Sequence, residues 1–445
     1  MKKSQILGIA VGATLAMGLS VSAFATDGYQ LIGIGQYAVG MAGAVVAAPD
    51  DPLSAAISNP AGLALMAPQA AFSAEIFNPV RKTNLGFGEI GSHTNVYGVP
   101  AIGWVAPAFG DGIVFGGGVY GTSGLGVNYL QNVPANPNMP YGGYAQAFSS
   151  ITFMQMAPSI AMKVNHHLAV GATLNIAAEQ ASFQQTFSQY ASAYGPMGPL
   201  NTGGLNLANP SWAYGAGFTL GMLYKVNDMV TLGLTYKSPI WFSSLNWQAG
   251  VQNQINPQTM SGVYGTPGQY SGTLNYPQQV AFGLAIRPIP QWLISVEGQW
   301  INWASTMNNF DVSGPWNAVY HGAPAGSVSS IALPMHWKNQ WVANIGTQYD
   351  LTNWLQVRAG YTYGSNPISN NTIASNLIFP AIVQSAITFG ATQKLGMGWK
   401  LTEAYMHEFS NTNTGPAGSS PFGGPMPVSA TMYENSYGLQ IGYVF

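Results

Sequence analysis

The C-terminal residues alternate. Tyr437, Leu439, Ile441, Tyr443 and Phe445 fall on one side of an extended chain, and Gly438, Gln440, Gly442 and Val444 on the other. A period of two, apolar on one face and small or polar on the other, predicts a strand and suits a wall with lipid outside. The pattern recurs upstream. Leu168, Val170, Ala172, Leu174 and Ile176 oppose Gly171, Thr173, Asn175 and Glu179. Val230, Leu232, Leu234 and Tyr236 oppose Thr231, Gly233, Thr235 and Lys237, and Leu355, Val357, Ala359 and Tyr361 oppose Gln356, Arg358, Gly360 and Thr362. Tight-turn sequences punctuate the strands at Gly110-Asp111, Asn165-His166-His167, Val226-Asn227-Asp228, Pro288-Ile289-Pro290, Asp350-Leu351-Thr352-Asn353 and Leu395-Gly396-Met397. Most lie roughly 60 residues apart, so each period holds a strand, a long loop, a strand and a tight turn.

Counting these arms predicts about fourteen strands, an even number as bacterial single-chain barrels require. Arms are expected at 112–121, 151–162, 168–180 and 213–225, among others. The fold class is therefore all-β, a transmembrane antiparallel barrel with tight turns toward the periplasm and long loops outside. Residues 26–68, rich in Gly and Ala and without alternation, are expected to fold inside as an N-terminal hatch. A barrel of this size has a lumen too wide for its own wall side chains to fill. The barrel itself is assigned to 69–445.

Residues 1–25 read as a signal peptide: Lys2 and Lys3, an apolar stretch from Ile6 to Leu19, then Ala23-Phe24-Ala25 at the cleavage position. No later stretch reaches the about 18 continuous apolar residues of a membrane helix. Ala38 to Ala48 comes closest and stops at Pro49-Asp50-Asp51. Composition then narrows the class. The 445 residues are 47% hydrophobic but only 6% charged, against about 25% in ordinary soluble proteins. With 12 Lys+Arg against 14 Asp+Glu, the basic footprint of a nucleic-acid binder is missing. The absence of cysteine excludes disulfides and thiolate metal sites.

In Tyr29 to Gly62, Gly33, Gly35, Gly40, Ala42 and Gly43 lead into Asp50-Asp51 and then Asn59-Pro60-Ala61-Gly62-Leu63. This resembles the hatch of the outer-membrane long-chain fatty acid transporter family (FadL type), which includes aromatic-hydrocarbon channels. Tyr276-Pro277-Gln278-Gln279-Val280-Ala281-Phe282-Gly283, Trp300-Ile301-Asn302-Trp303, Leu333-Pro334-Met335-His336-Trp337 and Val357-Arg358-Ala359-Gly360-Tyr361 are similar to the same family. The resemblance implies a fourteen-stranded barrel in the bacterial outer membrane, carrying hydrophobic compounds inward past an internal hatch. Long-chain fatty acids are the expected cargo, with an aromatic or alkane hydrocarbon as the alternative.

The apolar run Ile240, Trp241, Phe242, Leu245 and Trp247 is the candidate capture groove, with Tyr190, Tyr194, Met197 and Leu200 on the opposing loop. The alternative for Trp241 and Phe242 is the aromatic girdle at a strand end. Parity points Lys237, Glu297, Lys338, Arg358 and Glu179 inward. Lys237, Lys338 and Arg358 are candidate headgroup contacts, and Arg–Glu pairing across the lumen is the structural alternative. Gly116, Gly117 and Gly118 weaken pairing in the third strand. The resemblance implies an inward kink there that opens the wall sideways to lipid. Lateral release is expected at this point, triggered by movement of the hatch near Asn59 and Pro60, within the hatch motif Asn59, Pro60, Ala61 and Gly62; the alternative is three positions packed against the hatch, where only glycine fits.

No catalytic residue, metal or cofactor is expected. Glu403 and His407 share a strand face but lack a nucleophile, and His166-His167 lies in a turn. A lipid hydrolase and a general porin are the weaker alternatives. Expected partners are a hydrophobic small molecule, outer-membrane lipid and lipopolysaccharide, and the barrel assembly machinery that reads a terminal aromatic; a monomer is expected, and no nucleic acid.

Overall fold

The computed structural model describes residues 27–110, 112–136, 140–190, 200–249, 268–315, 327–420 and 424–445. The signal-peptide segment and Tyr194 and Met197 lie outside these residues. Fourteen antiparallel strands form the wall. They are β1 Gln69–Asn84, β2 Tyr97–Val105, β3 Ile113–Val133, β4 Gly143–Met156 continued by Ser159–Lys163, β5 Leu168–Tyr190, β6 Leu200–Lys225 and β7 Val230–Lys237. There follow β8 Gln279–Ile289, β9 Trp292–Ile301, β10 Gln340–Asp350, β11 Leu355–Gly364, β12 Ser385–Gly396, β13 Trp399–Thr414 and β14 Ser429–Val444. Each pairs with its neighbours in sequence, and β1 pairs with β14 from Gln69↔Val444 to Asn84↔Ser429. That last ladder closes the barrel and removes both sheet edges, as a strand wall in lipid must.

The side-chain distribution is inverted relative to a soluble protein. Phe72, Ile102, Phe218, Phe282, Ile345 and Leu439 are exposed on the outside, while Ser73, Thr173, Thr219, Asn344, Thr388 and Gln440 are buried inside. Aromatics ring the two ends: Trp292, Tyr349, Trp354 and Trp399 by the short turns, Trp212, Tyr214, Trp241 and Trp341 by the long loops. In the turns, Asn165 Oδ1 accepts the His167 and Leu168 amides, and Asn227 Oδ1 repeats this with Met229 and Val230.

Toward the long loops β3 to β6 run much further than their expected bounds, β5 to Tyr190 and β6 from Leu200, well past the about 9–11 residues a membrane crossing needs. Above them, four short loop strands (Leu245–Ala249, Gly268–Gly272, Asn309–Gly314 and Ser329–Pro334) form a second sheet.

Residues from Asp27 to Met66 lie within the wall. Their two short helices are α1 Gln36–Gly40 and α2 Pro52–Ser58. The second is defined locally: Asp51 accepts the Ser54 amide at 2.8 Å, Ser54 Oγ returns to the Asp51 amide at 3.2 Å, and Pro52 occupies the first turn.

Candidate functional site

Asn59 joins three parts of the structure. Its Oδ1 accepts the Ala61 amide at 3.2 Å, while Nδ2 donates to the Val46 carbonyl at 2.7 Å and the Met222 carbonyl of β6 at 3.0 Å. Pro60 and Ala61 press on Gly171 of β5, and a Cβ on Gly62 would lie 2.4 Å from Pro49. At the other side of the lumen, the Gln36 amide donates to Gln440 at 2.8 Å, and its Nε2 reaches Ser73 at 3.1 Å and Glu75 at 3.3 Å. Gln440 in turn donates to Asp51 at 2.6 Å. The Val46 amide donates to Glu297 at 2.9 Å. These few polar ties, rather than a continuous ladder, hold the internal segment.

Above it lies an aromatic chamber. Tyr29 sits 4.5 Å from Trp303 and stacks on Phe153 at 5.5 Å; Tyr276 and Trp337 close the group, with Phe153–Tyr276 at 5.3 Å and Trp303–Trp337 at 5.3 Å. The indole N–H groups of Trp303 and Trp337 donate to Gln340 at 3.1 Å and Asn376 at 2.7 Å, and the rings, all buried, pack on one another and fill the chamber. Tyr276, Trp303 and Trp337 come from three separate family-like stretches of the sequence; all three lie outside the wall strands, Trp303 in a short 3-10 turn, and converge here.

The capture candidates divide. Ile240, Phe242, Leu245 and Trp247 are buried and continuous with the chamber. Trp247 donates to the Ala181 carbonyl at 2.9 Å and packs on Phe183 at 5.7 Å. Trp241 faces outward and is 57% exposed, opposite Ala216 of β6, the girdle position.

Beneath the chamber is a cavity of about 90 Å³ whose lining includes Asp27, Lys237, Gln279, Glu297 and Tyr276. Burial pushes the Asp27 carboxyl up to about 7, with Lys237 pulling it down. Of the three candidate cations, only Lys237 faces this space. Arg358 lies beneath α1, donating to Gln348 at 2.8 Å, Thr392 at 2.8 Å and Gln356 at 3.2 Å, with Tyr37 stacked 4.7 Å from its guanidinium. Its partners are amides and a hydroxyl, not a lumen glutamate. Lys338 does not point into the lumen: it is exposed in the loop before β10. The strand begins only at Gln340, after the positive φ of 53° at His336, so Lys338 lies outside the extended run on which the parity count depends.

Gly116–Gly118 remain paired with β2, opposite Val105 to Gly103. On the other side the Gly118 carbonyl accepts the Ala157 amide at 2.8 Å, and a Cβ on Gly117 would lie 2.5 Å from the Ala157 carbonyl oxygen. The wall loosens just beyond. The β2–β3 ladder ends at Ala101↔Tyr120 although β2 continues to Tyr97. A bulge between Gly121 and Ser123 interrupts the β3–β4 register. There the internal segment substitutes for the neighbour: the Leu31 amide donates to the Thr122 carbonyl at 3.3 Å, and Gln30 bridges Ser123. Higher up, the His93 amide donates to the Asn128 carbonyl at 2.9 Å and closes the seam.

Glu403 and His407 lie on the outside of β13. Tyr437 donates to Glu403 at 3.4 Å, and His407 Nδ1 lies 2.8 Å from Asn435. Among the described residues no His, Asp and Glu cluster could hold a metal ion.

The architecture has solved counterparts. A crystal structure of a Pseudomonas aeruginosa FadL homologue is 18% identical, with TM-score 0.68, covering 95% of this chain and 100% of that one. The P. putida toluene transporter TodX is 19% identical, with TM-score 0.70, covering 93% and 99%. The CymD monoaromatic hydrocarbon channel is 15% identical, with TM-score 0.63, covering 93% and 98%. At such identities the likeness speaks for the fold. No curated protein matches the chain. A family-wide sequence profile described as outer membrane protein transport protein (OMPP1/FadL/TodX) matches residues 15–396. The chain belongs to that family, and it is an outer-membrane transporter of hydrophobic compounds, not an enzyme.

Proposed function

We propose that the protein admits small uncharged hydrophobic compounds of aromatic-hydrocarbon type. The ligand is captured among the loop aromatics, passes into the Tyr29–Trp303 chamber, and leaves sideways through the β2–β3 seam when the hatch moves. The observation that carries this reading is the pairing of Gln30 and Leu31 with the β3 bulge, because the segment that floors the chamber also seals the interrupted wall. Displacing it would uncover the chamber and the seam together. Proteins of similar fold are described as a toluene transporter and a monoaromatic hydrocarbon channel, which agrees with this cargo.

Electrostatics favours the neutral cargo over the long-chain fatty acid expected from sequence. A carboxylate entering this lumen needs a cation. Lys237 is already set against Asp27 and Glu297, and the Arg358 donors are engaged beneath α1. Neither candidate cation is therefore left to offset the desolvation of a carboxylate arriving with the cargo.

The absence of native cysteine makes a direct test simple. A Gln30→Cys/Ser123→Cys pair lies across an antiparallel bridge, within disulfide reach. Oxidation is expected to abolish toluene uptake into intact cells, and reduction to restore it. Full uptake with the disulfide formed would reject hatch movement at the seam.

A further inference from the structure

Glu179 is an inward-facing carboxylate of β5, completely buried. In register it lies between Phe153 of β4 and Ala213 of β6. Its inner-face neighbours Ala177 and Ala181 belong, with Phe153 and Ala213, to the apolar cluster of the chamber. Neither carboxylate oxygen has a hydrogen-bond partner among the described residues, and neither does the Tyr29 hydroxyl. Burial first, then Tyr276 and the Glu179 charge, hold the Tyr29 phenol well above its usual range.

Two other lumen carboxylates have evident structural work. Glu297 accepts the Val46 amide and Glu75 accepts Gln36, so both fasten the hatch. Glu179 fastens nothing, and an unpartnered buried carboxyl is costly where an aliphatic side chain would pack freely. Its placement is explained by a donor arriving with the ligand. Resting on the chamber reading above, we propose that Glu179 is a specificity residue selecting hydrophobic ligands that carry one hydrogen-bond donor, a hydroxyl or an amino group, on an apolar body. The aromatic faces of Tyr29, Phe153, Tyr276, Trp303 and Trp337 take the body, and Glu179 accepts the donor. A charged amine would also gain from the ring faces. An anionic head would lose its hydration among apolar side chains with no cation to meet it there.

Equilibrium dialysis of the purified full chain with toluene, p-cresol, benzylamine and benzoate tests this. The expected result is that p-cresol or benzylamine binds about tenfold more tightly than toluene, the size of one hydrogen bond to an otherwise unpartnered carboxyl, while benzoate binds less than toluene. In Glu179→Leu the ratio of donor-bearing ligand to toluene should fall to about one. In Glu179→Gln, which keeps an acceptor and loses the charge, the p-cresol preference should survive in part and the benzylamine preference should disappear. Preference for p-cresol alone assigns a neutral hydroxyl, and preference for benzylamine alone an ammonium. Equal binding of toluene and both donor ligands by the wild type overturns the proposal but leaves the chamber reading intact. A preference that survives in Glu179→Leu also overturns it. If no probe binds, both readings fall. Heat-shifted migration on gels verifies that each variant retains a folded barrel.

Discussion

Asp27 is expected to make the docking of the internal segment depend on pH. Burial raises its carboxyl to about 7, and Lys237 opposes the shift. The folded value lies above the ordinary one, so docking benefits fully when both forms are protonated, and the benefit is lost as pH rises through about 7. Amide exchange of residues 30–46, corrected for its intrinsic pH dependence, should be slower at pH 5 than at pH 8. Asp27→Asn should flatten that difference, and an undiminished difference in this variant would assign the effect elsewhere. At this scale the sequence was partly legible. Strand parity placed Lys237, Glu297, Arg358 and Glu179 inside, because each lies in an uninterrupted extended run. It failed at Lys338, which lies before the extended run that begins at Gln340. It also could not reveal that Glu179 lacks a partner, which depends on the contents of β4, β6 and the hatch together.

Among the elements, the long-loop halves of β3 to β6 were the hardest to read, and the reason is a reversal in the pattern. Within the membrane, polar residues face in and apolar residues face out. Above it β3 buries Leu125, Val127, Tyr129 and Val133 against the chamber, while Asn128 and Asn132 turn toward solvent. A search for apolar-out alternation therefore stops near residue 121, although the strand runs on to Val133. The loops carry the clearer signal: the apolar run from Ile240 to Trp247 stands out in sequence, and the structure buries Ile240, Phe242, Leu245 and Trp247 but not Trp241. Trp247 ties the loop sheet to β5 through its bond to the Ala181 carbonyl. Trp247→Ala should destabilise the lid by about 3–5 kcal/mol without opening the barrel ladders. Limited proteolysis should then cut within residues 240–249 in the variant, while migration of the unheated barrel on gels stays unchanged. Equal protease resistance in the variant would show that the lid does not depend on this anchor.

For the molecule as a whole, closure followed from parity and turn spacing, whereas the way the hatch is seated did not. A partial ring of single glycines on the inward face of the wall admits its backbone. A Cβ on Gly221 would lie 2.2 Å from Asn59 Oδ1, one on Gly233 2.3 Å from the Val46 oxygen, and one on Gly346 2.5 Å from the Met41 oxygen. On Gly360 it would lie 2.7 Å from Ala42. Such glycines are unremarkable in sequence, since each also reads as the small member of an alternating pair; only the enclosed segment gives them a common purpose. With no Cβ at these positions, the backbone of the internal segment approaches the wall to contact distance. That arrangement predicts a separation of barrel from hatch by substitution. Gly221→Val places its Cβ and methyl groups against Asn59 and Pro60, breaking the tie from Asn59 to Met222, while the β5–β6 and β6–β7 ladders keep their backbone bonds. Single-channel recordings in planar bilayers should show larger and more frequent conductance than the wild type. Gly298→Val, at a position with nothing within 4 Å of the added Cβ, should conduct as the wild type does. If Gly221→Val stays as tight as Gly298→Val, the hatch is held by something other than the glycine seats, because a displaced plug in so polar a lumen cannot leave the barrel sealed to ions.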